Sequence, residues 1–291
     1  MSAFTSDAVL SWRQAADALK DAGYPLAIIE AHHAEAVRNS TQQKLKHQAT
    51  IDFYSTYLAS YPAALILDLG AGAGEVAKPL SRLPNVTSIV AYDIELSAMR
   101  PLIEAVAQHY AYQMAEASNN GSLAKISFCS NGSAWQLPFL DQSFDAVVCR
   151  YAMHHIEKPC ETVQEIYRCL KPGGVFLYSD PVMPEHARDT THGLYALKES
   201  SFHGYLTYHE TIDMVTQAGL IIQGLRPYDY GRGTMDQYLK SVEHDAMKAH
   251  LIRAWCHLDA KTKQQFKWKG TVNGDFIVYP VVDLAAQKPL S

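Results

Sequence analysis

The chain has 291 residues and a formal net charge of −5, and 48% of its residues are hydrophobic while 19% are charged. This length suits one sizeable core with additions, because α/β domains often reach roughly 200 to 250 residues as one unit. The negative charge and the lack of a clustered basic run argue against nucleic acid as a partner, and no apolar run approaches the roughly 20 residues of a membrane span. Residues 1–7 carry neither a basic nor an apolar segment, which predicts a cytoplasmic protein without a secretory signal.

The amino-terminal part of the chain carries helical patterns. A helix is predicted over 6–22, with Ser6 as its N-cap and Gly23 at its end. Further helical pattern, rich in Ala, Gln and His, extends over 26–60. None of these residues is needed for the sheet that is predicted to follow.

A glycine-rich turn follows the first predicted strand. Residues 64–69 form an apolar run interrupted by one acid, which is typical of a strand covered on both faces. Gly70, Gly72 and Gly74 then allow the backbone to turn with positive φ and leave no Cβ between the chain and a ligand. Because such turns at the carboxyl end of the first strand bind nucleotides in open α/β sheets, we expect a ligand with a nucleoside half. The alternative is a plain tight connection.

Two acids indicate which ligand this is. The second predicted strand, 87–93, ends in Asp93, 19 residues after Gly74, where a carboxylate can accept both hydroxyls of a ribose. Dinucleotide folds use Gly-x-Gly-x-x-Gly, whereas here the third glycine comes two residues after the second, and Asp68 beside the turn would repel a pyrophosphate. The acid instead suits a cationic ligand such as the amino-acid end of S-adenosylmethionine, whose ammonium and sulfonium are both positive.

Strand and helix patterns alternate through 64–180, which predicts a doubly wound parallel sheet. The further elements expected are a helix over 96–110, strands over 125–129, 144–149 and 175–178, a helix over 163–170, a capping box at 207–210 opening a helix through Ala218, and strands over 220–225 and 275–282 with helical pattern between them.

Several blocks of the sequence together resemble one enzyme family. They are Leu-Asp-Leu-Gly-Ala-Gly-Ala-Gly at 67–74, the segment 131–139, the segment 137–155 with Leu-Pro-Phe, Phe-Asp and a His-His pair, and Leu-Lys-Pro-Gly-Gly at 170–174. This pattern resembles the ubiquinone/menaquinone-biosynthesis-like branch of the class I S-adenosylmethionine-dependent methyltransferases, the type 11 domain. The resemblance is specific over about 65–180 and looser beyond.

The resemblance implies an α/β fold with a Rossmann-like, seven-stranded sheet whose last strand is antiparallel. It implies a helical lid over 1–60 and a methyltransferase domain over 61–291, with cap insertions at about 181–210 and 230–272. The expected activity is transfer of a methyl group from S-adenosylmethionine to oxygen, nitrogen or carbon of a small organic molecule. The resemblance does not identify the acceptor, because enzymes of this branch act on many different small molecules. Candidate lid contacts are Arg38, Gln42, Gln43 and Tyr54.

The resemblance also implies site residues. The expected cofactor contacts are Asp68, Gly70, Gly72, Gly74, Asp93, Ile94, Ser133, Ala134 and Arg150. Ser133 stands where the family usually has aspartate, which weakens the expected contact to the adenine amine. His154 is the candidate general base because imidazole titrates near neutrality, and His203 and Tyr205 belong to a polar patch over the substrate. Alternatively, His154 and its neighbour His155 pack against the helix that begins there.

Metal and disulfide chemistry are not expected from the sequence. The five cysteines are odd in number and never spaced Cys-x-x-Cys, which predicts reduced thiols. Adjacent histidines such as His154 and His155 do not face the same way on a helix, so we expect no metal ligation there. Two alternatives to methyl transfer stay open: an enzyme that cyclises or cleaves the aminocarboxypropyl arm of the same cofactor, and a non-catalytic cofactor-binding module.

Overall fold

The computed structural model describes residues 44–116, 125–130, 132–199, 201–231, 235–239, 242, 244–268 and 278–290. The helix predicted over 6–22 and the candidate lid contacts Arg38, Gln42 and Gln43 lie outside the described residues. So do 275–277, the start of the last predicted strand.

A mixed sheet forms the centre of the structure. Its strands are β1 (Ala64–Leu69), β2 (Val86–Tyr92), β3 (Ile126–Cys129), β4 (Phe144–Arg150), β5 (Leu170–Met183), β6 (Leu206–Thr207), β7 (Ile221–Gly231) and β8 (Val278–Gln287). Their order is β3-β2-β1-β4-β5-β8-β7, and β6 pairs with β5 outside this path. The strands from β3 to β5 in this order are parallel, whereas β8 is antiparallel to both β5 and β7. The predicted doubly wound sheet with an antiparallel last strand is confirmed, and the short β6 is an addition to it.

Two strands are longer than their sequence patterns predict. β5 reaches Met183 because it pairs with β8 along 175–181 and then with β6. β7 continues to Gly231, which is in register with Val278 of β8. An apolar run marks only the part of a strand that is covered on both faces, so the extensions are not visible in the sequence pattern.

Helices flank the sheet. They are α1 (44–58), α2 (Ala77–Leu80), α3 (Leu96–Glu116), α4 (Pro159–Cys169), α5 (Glu185–Lys198), α6 (Tyr208–Gln217), α7 (Met235–Tyr238), α8 (Asp245–Cys256) and α9 (Ala260–Gln265), with a 3-10 turn at Met153–His155. Within the described ranges, no helix is both long and apolar enough to cross a membrane.

The predicted capping box opens α6. The Thr207 hydroxyl accepts a hydrogen bond from the Glu210 amide at 3.2 Å, and the Glu210 carboxylate accepts one from the Thr207 amide at 2.8 Å. Two backbone donors at the start of the helix are thereby satisfied, which fixes where the helix starts after β6.

Alternate side chains of the sheet enter two apolar cores. On one face, Ile66 of β1 packs with Tyr54 of α1 and with residues of α2 and α3. On the other face, Leu67 and Val147 pack with Val163 of α4. Coverage on both faces explains why these strands read as continuous apolar runs.

A third core, which we call the cap core, lies beyond the carboxyl end of β5 and is rich in aromatic rings. It joins side chains of α5, α7, α8 and the segment after α9 to the start of β8. The Trp255 ring lies edge-on to Tyr238 at 5.6 Å and to Trp268 at 5.7 Å between centroids, an arrangement that aromatic quadrupoles favour. Segments from both regions that the sequence marks as cap insertions therefore pack against one another.

Candidate functional site

The glycine turn after β1 uses its glycines for different purposes. Gly70 has a φ of +74°, and a Cβ there would lie 2.3 Å from the Cβ of Ala152. Gly74, at φ +80°, would bring a Cβ within 2.5 Å of Leu102 on α3. A Cβ at Gly72, where φ is +45°, would have no atom of the described residues within 4 Å other than those of its chain neighbours. Gly70 and Gly74 thus permit close packing of the chain, and Gly72 leaves open space for a ligand.

The carboxylate of Asp93 fixes this turn. Its Oδ2 accepts a hydrogen bond from the Gly72 amide at 2.9 Å, and its Oδ1 accepts one from the Glu95 amide at 3.1 Å. The carbonyl of Tyr92 accepts further bonds from the amides of Gly70 and Ala71, at 2.8 and 3.1 Å. The turn is therefore tied to the carboxyl end of β2, where a ribose is expected to bind.

A cavity of about 380 Å³ opens beside the turn. It is lined by Leu69, Gly70, Gly72, Tyr92, Asp93, Ile94, Glu95, Ala98, Ala134, Trp135, Tyr151, Ala152, His155, Ile156 and Ser201. The sequence-predicted cofactor contacts Gly70, Gly72, Asp93, Ile94 and Ala134 thus line one cavity. The other predicted contacts, which are Asp68, Gly74, Ser133 and Arg150, are not part of the lining.

Asp68 lies at the end of β1, next to Leu69 in the cavity wall, and is 2% exposed. Its Oδ2 has no hydrogen-bond partner among the described residues. Burial raises the pKa of the Asp68 carboxyl to about 7, while a hydrogen bond from the Ala77 backbone and the charge of Arg150 act in the opposite direction. A buried carboxylate with an unsatisfied oxygen favours a cationic partner.

Another part of the cavity lining comes from the segment after β3. Ala134 and the indole of Trp135 line it, and the Lys158 ammonium lies 5.8 Å from the centre of the Trp135 ring. Ser133 contributes its carbonyl, which accepts a hydrogen bond from the Tyr92 hydroxyl at 3.4 Å. A small residue beside a flat indole leaves room for a planar base.

Tyr151, directly after β4, is a cavity residue that the sequence analysis missed. Its φ is +52°, a conformation that costs energy for a bulky residue and that often marks functional sites. Its amide donates to the Ser179 carbonyl at 2.8 Å, and its ring lies 4.5 Å from the Arg150 guanidinium and 5.6 Å from the Tyr230 ring. The sequence does show an aromatic residue directly after a predicted parallel strand, and this could have marked Tyr151 as a site residue. The backbone conformation that places its ring in the cavity wall is visible only in the structure.

His154 follows in the 3-10 turn and is 5% exposed. Its Nδ1 lies 2.6 Å from Oδ1 of Asp180, and its amide donates to Oδ2 of the same carboxylate at 3.1 Å. The His154 carbonyl accepts a hydrogen bond from the His203 amide at 2.9 Å, and the Tyr205 ring lies 5.1 Å from the imidazole. The three predicted catalytic residues are therefore neighbours, although none of them lines the cavity itself.

His155 is the histidine that lines the cavity. Its Nδ1 lies 3.2 Å from both the carbonyl and the hydroxyl oxygen of Ser201, and its ring centre is 4.1 Å from that of His154. Burial, and then the charge of His154, lower the pKa of His155 below its ordinary value. The expectation that adjacent histidines face apart does not hold here, because they occupy a 3-10 turn between a strand and a loop and not a regular helix.

Comparison with known proteins addresses the same segment. Residues 67–178 match the type 11 family described as a methyltransferase domain. This segment belongs to that family. The resemblance found in the motifs is thereby confirmed, and the methyltransferase domain includes the glycine turn, Asp93 and the His154–His155 pair.

Individual relatives agree with this assignment. The chain is 37% identical over 120 residues to the uncharacterized methyltransferase YcgJ of Bacillus subtilis, covering 41% of this chain and 42% of that protein. It is 25% identical over 173 residues to the demethylmenaquinone methyltransferase of Chlorobaculum parvum, covering 60% of this chain and 58% of that protein. The match thus spans about half the length of these relatives.

A solved structure extends the likeness in fold beyond the methyltransferase domain. The crystal structure of the B. subtilis YcgJ protein superposes with a TM-score of 0.70 at 20% identity, covering 83% of this chain and 99% of that one. The sheet and the elements that follow β5 therefore share an architecture with that protein.

Proposed function

We propose that this protein is an S-adenosylmethionine-dependent methyltransferase that acts on a small organic molecule. The observation that carries the proposal is an open glycine turn, held by Asp93, in the wall of a cavity whose lining residue Leu69 directly follows Asp68, a buried acid with an unsatisfied Oδ2. The methyltransferase domain match over 67–178 supports it independently.

The residues present fit this cofactor. Asp93, at the end of β2, would accept the ribose hydroxyls with the lone pairs that the Gly72 and Glu95 amides leave available. Ala134 and Trp135 would enclose the adenine. Asp68 would pair with the ammonium of the amino-acid end. Arg150, whose buried Nε has no hydrogen-bond partner among the described residues, would bind the carboxylate of the same end.

The chain's own contribution to methyl transfer is positional. The methyl carbon is already activated by the adjacent sulfonium when the cofactor is bound, so the protein has to align the acceptor atom and exclude water. Tyr151 and His155 line the same cavity and are not needed for the contacts proposed to the cofactor, so they would face the acceptor. His154, backed by Asp180 at 2.6 Å, is held in a single orientation beside them.

The acceptor is proposed to be a small molecule selected by the cap. The residues that the cofactor leaves unused, His203 and Tyr205, lie on the cap side of His154. A relative named for demethylmenaquinone as its acceptor supports a small organic substrate of this kind. The charge of −5 supports a role without nucleic acid.

Product analysis tests the proposal. The protein would be incubated with methyl-labelled S-adenosylmethionine and a small-molecule extract, and both cofactor products and labelled small molecules would be separated by chromatography. We expect S-adenosylhomocysteine and label in an extract component, both lost in Asp93→Ala. Methylthioadenosine as the product would favour the cyclising or cleaving enzyme, and binding without turnover over many extracts would favour the non-catalytic module.

A further inference from the structure

We propose that His154, His155 and Glu199 form a binding site for one divalent cation of the zinc class at the edge of the cofactor cavity. One potential ligand atom from each side chain lies within 4.8 Å of those of the other two. Two imidazoles and one carboxylate are a ligand set that zinc uses where a further position stays available for water or substrate.

The local fold creates the cluster. The 3-10 turn after β4 presents the two adjacent imidazoles together, with ring centres 4.1 Å apart. Glu199 follows the last residue of α5 and reaches the same point from the cap side. Its Oε1 pairs with Lys198 at 2.6 Å. The site is therefore shared between the sheet and the cap.

The surroundings of the two imidazoles are those of metal ligands. Nδ1 of His154 lies 2.6 Å from Asp180, a carboxylate that is 1% exposed and also accepts the His154 amide. Such a carboxylate behind a histidine fixes the ring and its tautomer, and leaves Nε2 for a metal. Nδ1 of His155 faces the carbonyl of Ser201 at 3.2 Å, which leaves Nε2 of that ring as well.

The position of His155 gives the cation a chemical role. His155 lines the cavity, so the open coordination position would face the acceptor. This role rests on the proposed function. A cation there would bind an acceptor hydroxyl and lower its pKa, so that its proton passes to solvent water. The oxygen lone pair then forms the new bond to the methyl carbon, and the electron pair of the breaking carbon–sulfur bond remains on the sulfur of S-adenosylhomocysteine.

The binding test uses the full chain and Zn²⁺ alone, titrated against a chromophoric chelator after exhaustive dialysis with EDTA. We expect one equivalent bound by the unchanged protein. We expect affinity at least about tenfold weaker in His155→Ala and in Glu199→Gln, and about 10- to 100-fold weaker in Asp180→Asn, which removes only the support of His154. The control is His209→Ala, an exposed histidine paired with Glu185 outside the cluster, which should bind as the unchanged protein does.

A second measurement separates this inference from the proposed function. Calorimetric titration with S-adenosylhomocysteine should give unchanged affinity in Glu199→Gln, since Glu199 is not among the residues that line the cavity, and circular dichroism should show that both His155→Ala and Glu199→Gln fold. Loss of zinc with intact nucleoside binding supports the site. No stoichiometric Zn²⁺ in the unchanged protein, or equal Zn²⁺ affinity in the cluster variants and in His209→Ala, overturns it even where S-adenosylhomocysteine still binds.

Discussion

The Gly72 amide and the Asp93 carboxylate are joined by a hydrogen bond of 2.9 Å that links the ends of β1 and β2. The same carboxylate also accepts the Glu95 amide at 3.1 Å. A ligand that bonds to Asp93 therefore meets a group already held in place by two amides. Pre-organisation of this kind lowers the entropy lost on binding.

Replacement of either partner should weaken the nucleoside site. In Asp93→Ala and Gly72→Val we expect the affinity for S-adenosylhomocysteine to fall more than about tenfold, because loss of a hydrogen bond to a charged group costs on the order of 1.5 to 3 kcal/mol. Isothermal titration calorimetry measures this. Asp245→Ala, which removes an exposed acid on α8, is the control. Unchanged affinity in both site variants would show that the ligand binds elsewhere.

Cofactor binding should release a proton from Asp68 near neutral pH. Its pKa of about 7 in the folded protein leaves the carboxyl partly protonated, whereas pairing with an ammonium requires the charged form. We therefore expect affinity to rise as the pH increases through 7, and calorimetry in buffers of different ionisation enthalpy to reveal proton release. Asp68→Asn should remove the release. The same net proton exchange in Asp68→Asn as in the unchanged protein would refute the assignment.

The same carboxyl gives stability a definite pH dependence. Its pKa is raised from 3.8 to about 7, so the folded state holds more protons than the unfolded chain between these values. The contribution of Asp68 to the free energy of unfolding is fully present below its unfolded pKa of 3.8. It is lost as the pH rises through the folded pKa of about 7. Urea unfolding of Asp68→Asn should show a weaker loss of stability between pH 5 and pH 8 than the unchanged protein. The same dependence of unfolding free energy on pH in Asp68→Asn and in the unchanged protein would contradict this prediction.

Dinucleotides should not compete at this cavity. Asp68 lies next to the wall that a pyrophosphate would have to approach, and in its ionised form the carboxylate repels the phosphate charges. Neither NAD(H) nor NADP(H) at micromolar concentration should displace fluorescent or labelled S-adenosylhomocysteine. Displacement would mean that the turn binds phosphates after all.

Substitutions in the cap should lower turnover while leaving cofactor affinity nearly unchanged. His203 and Tyr205 contact the His154 region and lie outside the cavity lining, so His203→Ala and Tyr205→Phe should leave S-adenosylhomocysteine affinity within about threefold while lowering turnover of the acceptor. Tyr205 is 5% exposed, and phenylalanine preserves its ring packing, which makes it the milder change. Full turnover in both variants, or cofactor loss comparable to Asp93→Ala, would refute this division.

The alternation of strands and helices along the chain and the glycine turn could be predicted because their causes are local. Apolar runs, helical spacing and the positions of Gly70, Gly72 and Gly74 directly reflect coverage on both faces and a backbone that needs positive φ. The extension of β5 could not be predicted, because it depends on pairing with β8 and β6 at a distance along the chain.

The site was predictable in part for the same reason. Asp93 and Ala134 follow strand ends and lie where the pattern places them. The contact of His154 with Asp180 joins residues 26 apart in sequence, and the meeting of His155 with Glu199 depends on where the cap packs. The left-handed backbone of Tyr151 leaves no mark in the sequence either, since it is imposed by the surrounding structure.

The placement of the tryptophans gives the molecule two separate optical reporters. Trp135 lies in the cavity wall, whereas Trp255 and Trp268 are buried in the cap core, and Trp12, the fourth of the chain, lies outside the described residues. A purine placed against Trp135 should quench its emission and leave that of the cap indoles unchanged. Trp135→Phe would then remove the fluorescence change on ligand binding. The emission shift of Trp255 and Trp268 would still report the unfolding of the cap core in denaturant.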